Sequence, residues 1–439
     1  MRDLAIVMAL PFLIYFSLKR PFVGLGLWLW SSAVNLNAIV YGFASSITFS
    51  KLFAGLTILS FLASKEKSPL KLENLSILVI LFYAIATLSN VGAISNADLA
   101  WERWGVFSKV IIFYFFAITI IRKKIHFDFI VWVLIVSIGA MSSKEGVKFL
   151  VSGGVHRIGG LAGIQGDNNF FGVMILTVIP LAAYMFTETK NKTLKMGIQS
   201  VIVLMVFGIF STFSRGAFVG LFIFAVFFWR NSQSKILWLV MLIGISFAMV
   251  NLMPDTWLDR MNSTQKADTD DSFLGRVAAW KVGTLIAMDH ILGGGFNCVE
   301  YSSTWIKYGL QFYKLDFVPP LMPTEHLHAT HSIYFQILSN HGFIGLFLFL
   351  LMLLTAYSKA TRIINLQKKN KNIPDWCVNL AKMMKLSLIS FCTSGALVNI
   401  AYFDFLYAIF AMVVSLEVNI IQPIILEQKT FSKLAGRQK

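Results

Sequence analysis

At 439 residues, 56% hydrophobic and 14% charged, with a mean hydropathy of +0.70, this chain is no ordinary soluble domain; such domains carry about a quarter charged residues. Its net charge of +16 reads as the Lys and Arg that collect in cytoplasmic loops rather than as a nucleic-acid surface. Cys298, Cys377 and Cys392 are too scattered to offer a zinc ligand set or a disulfide framework.

In chain order, apolar runs fall at 4–18, 21–34, 47–63, 74–92, 105–121, 127–143, 169–186, 196–213, 216–230, 235–253, 332–356, 378–398 and 401–422. Crossing a bilayer takes about 20 residues, and the first two runs are short. About twelve true crossings are therefore expected, or thirteen if every run spans. No small-residue cleavage pattern precedes Lys19-Arg20, so a cleaved leader is not expected. Basic stretches mark the cytoplasmic side: "RKK" at 122–124, "KNKTLK" at 190–195, Lys359 to Lys371, and a tail with Lys429, Lys433, Arg437 and Lys439. Alternation then puts the N-terminus and the segments 93–104, 144–168 and 254–331 outside.

The expected fold is an all-α polytopic membrane protein. Residues 1–253 form about ten transmembrane helices with short loops. Residues 254–331 form a large outer loop domain, 332–422 the C-terminal transmembrane helices, and 423–439 a basic cytoplasmic tail. The loop holds Trp257, Trp280, Trp305, Tyr308, Phe312 and Tyr313, too many aromatics for a disordered linker. Loops this long are usually functional. Within it, "DDSFLGRVAAWKVGTLIAMDHILGGGF" reads as one helix that Asp271 or Ser272 can cap and that Gly293 to Gly295 stop. Arg276 and Trp280, four apart, share a face.

Three arginines fall on the outer side. Arg215, in "FSTFSRGAFVG", stands where one span ends and the next begins, with Ser214 or Thr212 placed to cap the new helix. An arginine beside the free N–H groups of a helix start suits an anion such as phosphate; the plain alternative is an arginine snorkelling at the interface. Arg276 lies on the loop helix, where a solvated face is the plain alternative. Arg157 sits in "GGVHRIGGLAGIQGDNNFFG", among glycines that let backbone approach a ligand closely. Neither Gly160, Gly163 and Gly166 nor Gly293 to Gly295 match a phosphate-loop pattern. The acidic run at 268–271 reads as a solvated loop or, less simply, as a cation site.

The densest cluster is "EHLHATHSIYF" at 325–335, with three of the chain's seven histidines. Two or three of His326, His328 and His331 with Glu325 could hold zinc, but no HExxH pattern is present. A single neutral histidine where the loop enters the membrane suits a general base. A structural histidine is the third reading. His341 lies deeper in the same helix.

These pieces together resemble the O-antigen ligase and O-antigen polymerase superfamily of envelope glycosyltransferases. The likeness runs over most of the chain and is densest from about 157 to 346. "SRGAFVG" follows a span, "GRVAAW" and "HILGGGF" lie in the large loop, and "HSIYFQILSNHGFIG" opens the next span. The start, "MRDLAIVMALPFLIYFSLKRPFVGLGLWLW", is similar to the subgroup of exosortase-associated O-glycosylation ligases. The resemblance implies a multi-pass enzyme of the bacterial inner membrane with its active site facing the periplasm. It implies transfer of a glycan from undecaprenyl diphosphate to an acceptor hydroxyl, by inversion, with no metal or other cofactor. The acceptor would be the lipid A core, the growing glycan in a polymerase, or Ser and Thr in a protein O-oligosaccharyltransferase. By local motif His331 becomes the catalytic base, and Arg215 and Arg276, with Arg157 less closely, bind the diphosphate. His326, His328, Trp280 and Asn169 become acceptor or loop contacts. Besides the two substrates, the partners are membrane lipids and not nucleic acid. A transporter is the rival from another class, but it would show inverted repeats and charged or broken helices at mid-membrane, whereas the charged candidates here gather on one face and in one loop.

Overall fold

The computed structural model describes residues 2–40, 42–64, 70–158, 167–231, 271–320, 322 and 326–437. The expected span at 235–253, Trp257, Glu325, Gly160, Gly163, Gly166 and the acidic residues at 268–270 lie outside them. Every regular element described is a helix. That follows from the solvent: in hydrocarbon each backbone N–H and C=O must be paired within its own segment.

Among the described residues, the longer helices ahead of the large loop are α1 (Arg2–Lys19), α2 (Pro21–Val34), α3 (Phe49–Ala63), α4 (Asn74–Val91), α5 (Ala97–Ile120), α6 (Lys124–Val151), α7 (Asn168–Glu188), α8 (Lys192–Ser211) and α9 (Arg215–Asn231). The loop contributes α10 (Asp271–Asp289) and α11 (Ser302–Gly309). Then follow α12 (Ile333–Lys369), α13 (Asp375–Gly395) and α14, which covers 404–437 through a π-helical stretch at Leu416–Ile421. Among the described helices, 7 are long and apolar enough to cross a membrane, namely α4, α5, α6, α7, α8, α12 and α14. Helices α1, α2, α3 and α9 are shorter and apolar. The chain is a multi-pass membrane protein.

Several helices outrun their apolar stretches. Helix α5 starts at Ala97 because Asn96 caps it, its side chain accepting from Leu99 N at 3.2 Å. Helix α6 continues into the 144–168 stretch and stops only at Gly153 and Gly154, both at positive φ. Helix α12 runs through the basic segment to Lys369, and α14 through the basic tail to Arg437. Hydropathy marks the part of a helix that crosses lipid, while the backbone ladder continues until a residue breaks it.

The centre of the bundle is α7, with 83% of its most apolar stretch buried. It packs on α6, α8, α9 and α13, and Ser387 Oγ of α13 donates to Thr177 O at 2.7 Å. Helices α6 and α8 cross at two glycines. A Cβ on Gly146 would lie 2.2 Å from Leu204 O, and one on Gly208 2.7 Å from Ser142 O. This is the small-residue contact by which membrane helices approach closely.

The large loop has its own core. Ala278, Ala279, Val282 and Leu285 of α10 bury against Trp305, Tyr308 and Phe312, while Tyr313 stays exposed. Lys281, only 3% exposed, donates to Val318 O at 2.7 Å and Pro320 O at 3.0 Å and sits 4.7 Å from the Phe312 ring centre.

The glycines that end α10 also fasten it to α12. Gly342 breaks α12 with φ +65, so Ser339 O and Asn340 O turn outward; they accept from Gly294 N at 2.8 Å and Gly295 N at 3.0 Å. The backbones touch: a Cβ on Gly342 would sit 2.1 Å from Ile291 O, and one on Gly293 2.5 Å from Asn340 C.

Overpacking such a contact costs about 1–3 kcal/mol, and an L side chain in the left-handed region adds about 1–2 kcal/mol. Gly146→Ala and Gly342→Ala should each lower the detergent melting temperature by several degrees, with Gly342→Ala the worse. Gly105→Ala, with nothing within 4 Å of the added Cβ, should not. Size-exclusion chromatography after stepwise heating reads the difference.

Candidate active site

The segment 326–332 crosses the bundle end between α10 and the turn joining α13 to α14. Asn399 in that turn grips it on both sides of His331. Asn399 Oδ1 accepts from Thr330 Oγ1 at 2.6 Å and from Ser332 N at 3.1 Å. From the other side, Trp280 Nε1 of α10 donates to Thr330 O at 2.6 Å, and the Trp280 ring stacks on Phe335 at 4.8 Å between centres. Between these clamps His331 takes φ 42, a region costly for a residue with a Cβ.

His331 Nδ1 is buried and has no hydrogen-bond partner among the described residues. Buried polar atoms are nearly always paired, so one that is not calls for an explanation. Desolvation is the main cause holding the pKa of His331 below its ordinary 6.5; the neighbouring Arg276 cation lowers it further, Asp167 pushes the other way, and His328 adds to the lowering. The imidazole is therefore neutral at pH 7.

His341 has a different fate. Fully buried, it commits both ring nitrogens: Nδ1 pairs with Ser89 Oγ at 2.7 Å and Nε2 with Tyr402 OH at 2.8 Å. His328 lies with its ring against Gly275, where a Cβ would fall 2.5 Å from it, and 6.1 Å from the Trp305 ring centre. His326 is exposed. Among the described residues no three His, Cys, Asp or Glu side chains converge as a metal ligand set.

Asp167 caps α7, accepting from Asn169 N at 2.8 Å and from Asn169 Nδ2 at 2.9 Å, so Asn169 orients the carboxylate that acts on His331. Arg215 is the first residue of α9. Ser214 caps that helix, its Oγ accepting from Ala217 N at 3.2 Å, and Thr212 Oγ1 accepts from Ser214 N at 3.2 Å. Helix α9 reaches α7 where a Cβ on Gly172 would lie 2.6 Å from Ala217 Cβ; on its other side Gly216 faces Leu397, two residues before Asn399. Arg157 is exposed, its guanidinium 6.0 Å from the Phe213 ring centre. Its segment is anchored by Ile158 N donating to Ser211 O at 2.9 Å and by His156 Nε2 pairing with Glu145 Oε2 at 2.7 Å.

Through these contacts His331, Arg276, His328, Trp280 and Asp167 form one cluster, with Arg215 at the start of α9, Arg157 in the coil after α6 and His326 exposed. Asn399, Thr330 and Asp167 went unnoticed in the sequence. Asn399, a polar residue between two apolar runs in "LVNIAYFD", gives only a faint signal, because its role depends on what reaches it from sixty-seven to sixty-nine positions away.

The sign of the His331 shift is testable without assuming any reaction. Carbethoxylation requires neutral imidazole, so its rate at His331, followed by peptide mass spectrometry, should reach half its maximum below pH 6.5. Arg276→Gln removes a cation that disfavours protonation and should move that midpoint upward. A midpoint above 6.5 in the unaltered protein contradicts the assignment.

Residues 200–350 match the family model described as O-Antigen ligase, and residues 1–171 match a family of unknown function, DUF5935. No curated protein matches the chain. The ligase match spans Arg215, Arg276, Trp280, His328 and His331, and over this stretch the chain is similar to the O-antigen ligase family.

Proposed function

We propose that this protein is an O-antigen ligase-type glycosyltransferase. It moves a glycan from undecaprenyl diphosphate to an acceptor hydroxyl, first of all on the lipid A core oligosaccharide, at the periplasmic face of the bacterial inner membrane. The observation that carries this reading is His331: a neutral imidazole with an uncommitted, buried ring nitrogen beside the Arg276 cation, inside the ligase-matching stretch. The basic segments 122–124, 190–195 and 359–371 support a cytoplasmic assignment for the opposite end of the bundle.

In this reading His331 takes the proton from the acceptor hydroxyl. The freed oxygen attacks the anomeric carbon from the face opposite the diphosphate. The C1–O bond breaks, its electron pair passes to the diphosphate oxygen, and the sugar configuration inverts. Charge grows on that oxygen as the bond lengthens. Arg215 and Arg276, with Arg157 at the edge, meet it with guanidinium groups whose fork fits phosphate oxygens. The nucleophile is a sugar hydroxyl and the leaving group an already stabilised diphosphate, so the residues themselves supply what the step needs. A zinc ion on His331 would occupy the lone pair that the base uses.

The test is reconstitution of the purified protein with a lipid-diphosphate glycan, offering lipid A core, a peptide and the donor glycan itself in turn. Transfer to the core is expected; transfer to the peptide or the donor instead would reassign the enzyme as a protein O-oligosaccharyltransferase or a polymerase. His331→Asn tolerates positive φ and should fold normally while losing about 10²–10⁴-fold in rate. Near-normal transfer by that variant ends the base assignment. Arg215→Lys and Arg276→Lys keep charge but lose the bidentate fork, and each should lose about 10-fold or more. Transfer should persist in excess chelator; a loss that added zinc restores would favour a metal site at the histidine cluster.

A further inference from the structure

A cavity of about 360 Å³ lies beside the His331 clamp, within the size range of small-molecule sites. Its walls come from α2, α3, α5, the start of α7, the 296–300 turn, the start of α12 and the turn between α13 and α14 with the first residue of α14. Asn399 belongs to both places: it lines the cavity and holds Thr330 and Ser332 around His331. The polar lining includes Arg103, Lys109, Glu300, Asn399, Tyr402 and Asp404, with phenylalanine rings between them.

That lining discriminates among ligands. A pocket for a bare anion would not face it with two carboxylates, and a pocket for a lipid tail would not carry four charged groups. Donors and acceptors interleaved with aromatic faces fit a sugar ring, which is polar at its rim and apolar on its C–H faces. Arg103 lies near enough to Glu300 to oppose the rise that burial imposes on that carboxyl.

Tyr402 is held from behind. Asn340 Nδ2 donates to its hydroxyl oxygen at 3.0 Å, so the hydroxyl donates to His341 Nε2 at 2.8 Å. His341 then donates from Nδ1 to Ser89 Oγ at 2.7 Å, and Ser89 to Ala86 O at 3.0 Å. This one-directional chain explains the buried His341 and leaves the second Tyr402 lone pair as an acceptor with a fixed direction.

We propose that this cavity is the subsite for the acceptor sugar, a neutral pyranose whose hydroxyl is presented to His331 past Asn399. The proposal rests on the transfer reading above. Glu300→Gln removes a charged acceptor from the lining, and Val106→Trp fills the cavity from α5. With the reconstituted full-length protein, each should raise KM for the acceptor about tenfold while KM for the donor and kcat stay within about threefold. A rise in donor KM alone would make the cavity a donor subsite, and no change in either would remove it from the reaction; both results overturn the proposal. If the unaltered protein transfers to no acceptor, the functional reading fails separately. The subsite is then judged by saturation-transfer NMR with the core oligosaccharide released from rough lipopolysaccharide by mild acid. Binding by the unaltered protein that Val106→Trp abolishes supports a sugar site, and absence of binding overturns it.

Discussion

The backbone contact between Gly293–Gly295 and the break in α12 is the constraint on which the site depends. A helix interrupted inside a bundle exposes carbonyls that have no water to turn to. Here Ser339 and Asn340 recover donors from Gly294 and Gly295, and the approach is closer than any Cβ would allow. The same contact fixes where α10 ends relative to α12. It therefore sets the height at which Arg276 and Trp280 stand over the 326–332 segment. The stacking of Trp280 on Phe335 and the Cys298 thiol donating to Ser339 O at 3.2 Å tie the loop core to the same helix.

Two histidines ten positions apart on one chain segment end in opposite chemistry because of what surrounds them. His341 sits deep in the bundle with both nitrogens in a chain of hydrogen bonds, so its role is to hold Tyr402 and Ser89. His331 sits at the edge, in a backbone conformation that Asn399 and Trp280 impose from opposite sides, with a ring nitrogen left over. Strain of order 1–3 kcal/mol at such a residue persists only when its surroundings over-determine it, and three hydrogen bonds on its two neighbours do so here.

The opposite end of the bundle spends its charges differently. Lys359 pairs with Glu417 and with Glu73, and Arg362 with Glu417. Lys124 bonds Asp128 at 2.8 Å and lies 3.4 Å from Glu188, while Tyr184 donates to Asp128 at 2.7 Å. These groups join α4, α12 and α14 in one network and α6 to α7 in the other, so their charge is consumed in holding helices together. At the His331 end Arg215 stands on the first residue of α9, Arg276 on the loop helix α10, and Arg157 in the coil after α6.

Much was settled by the sequence alone. Long apolar runs admit one kind of backbone in lipid, so the all-helical, multi-pass class followed from composition. The motifs around Arg215, Arg276 and His331 pointed to the ligase superfamily, and "GGG" after an amphipathic run marked the end of α10. Helix lengths were less legible, since α6, α12 and α14 continue past the hydropathy that reveals them. Which histidine keeps a free nitrogen, and that Asn399, Thr330 and Asp167 support it, was decided only in three dimensions. Hydrogen-bond partners and local charge depend on residues dozens to hundreds of positions apart, and a local pattern holds no information about who will arrive to fill a lone pair.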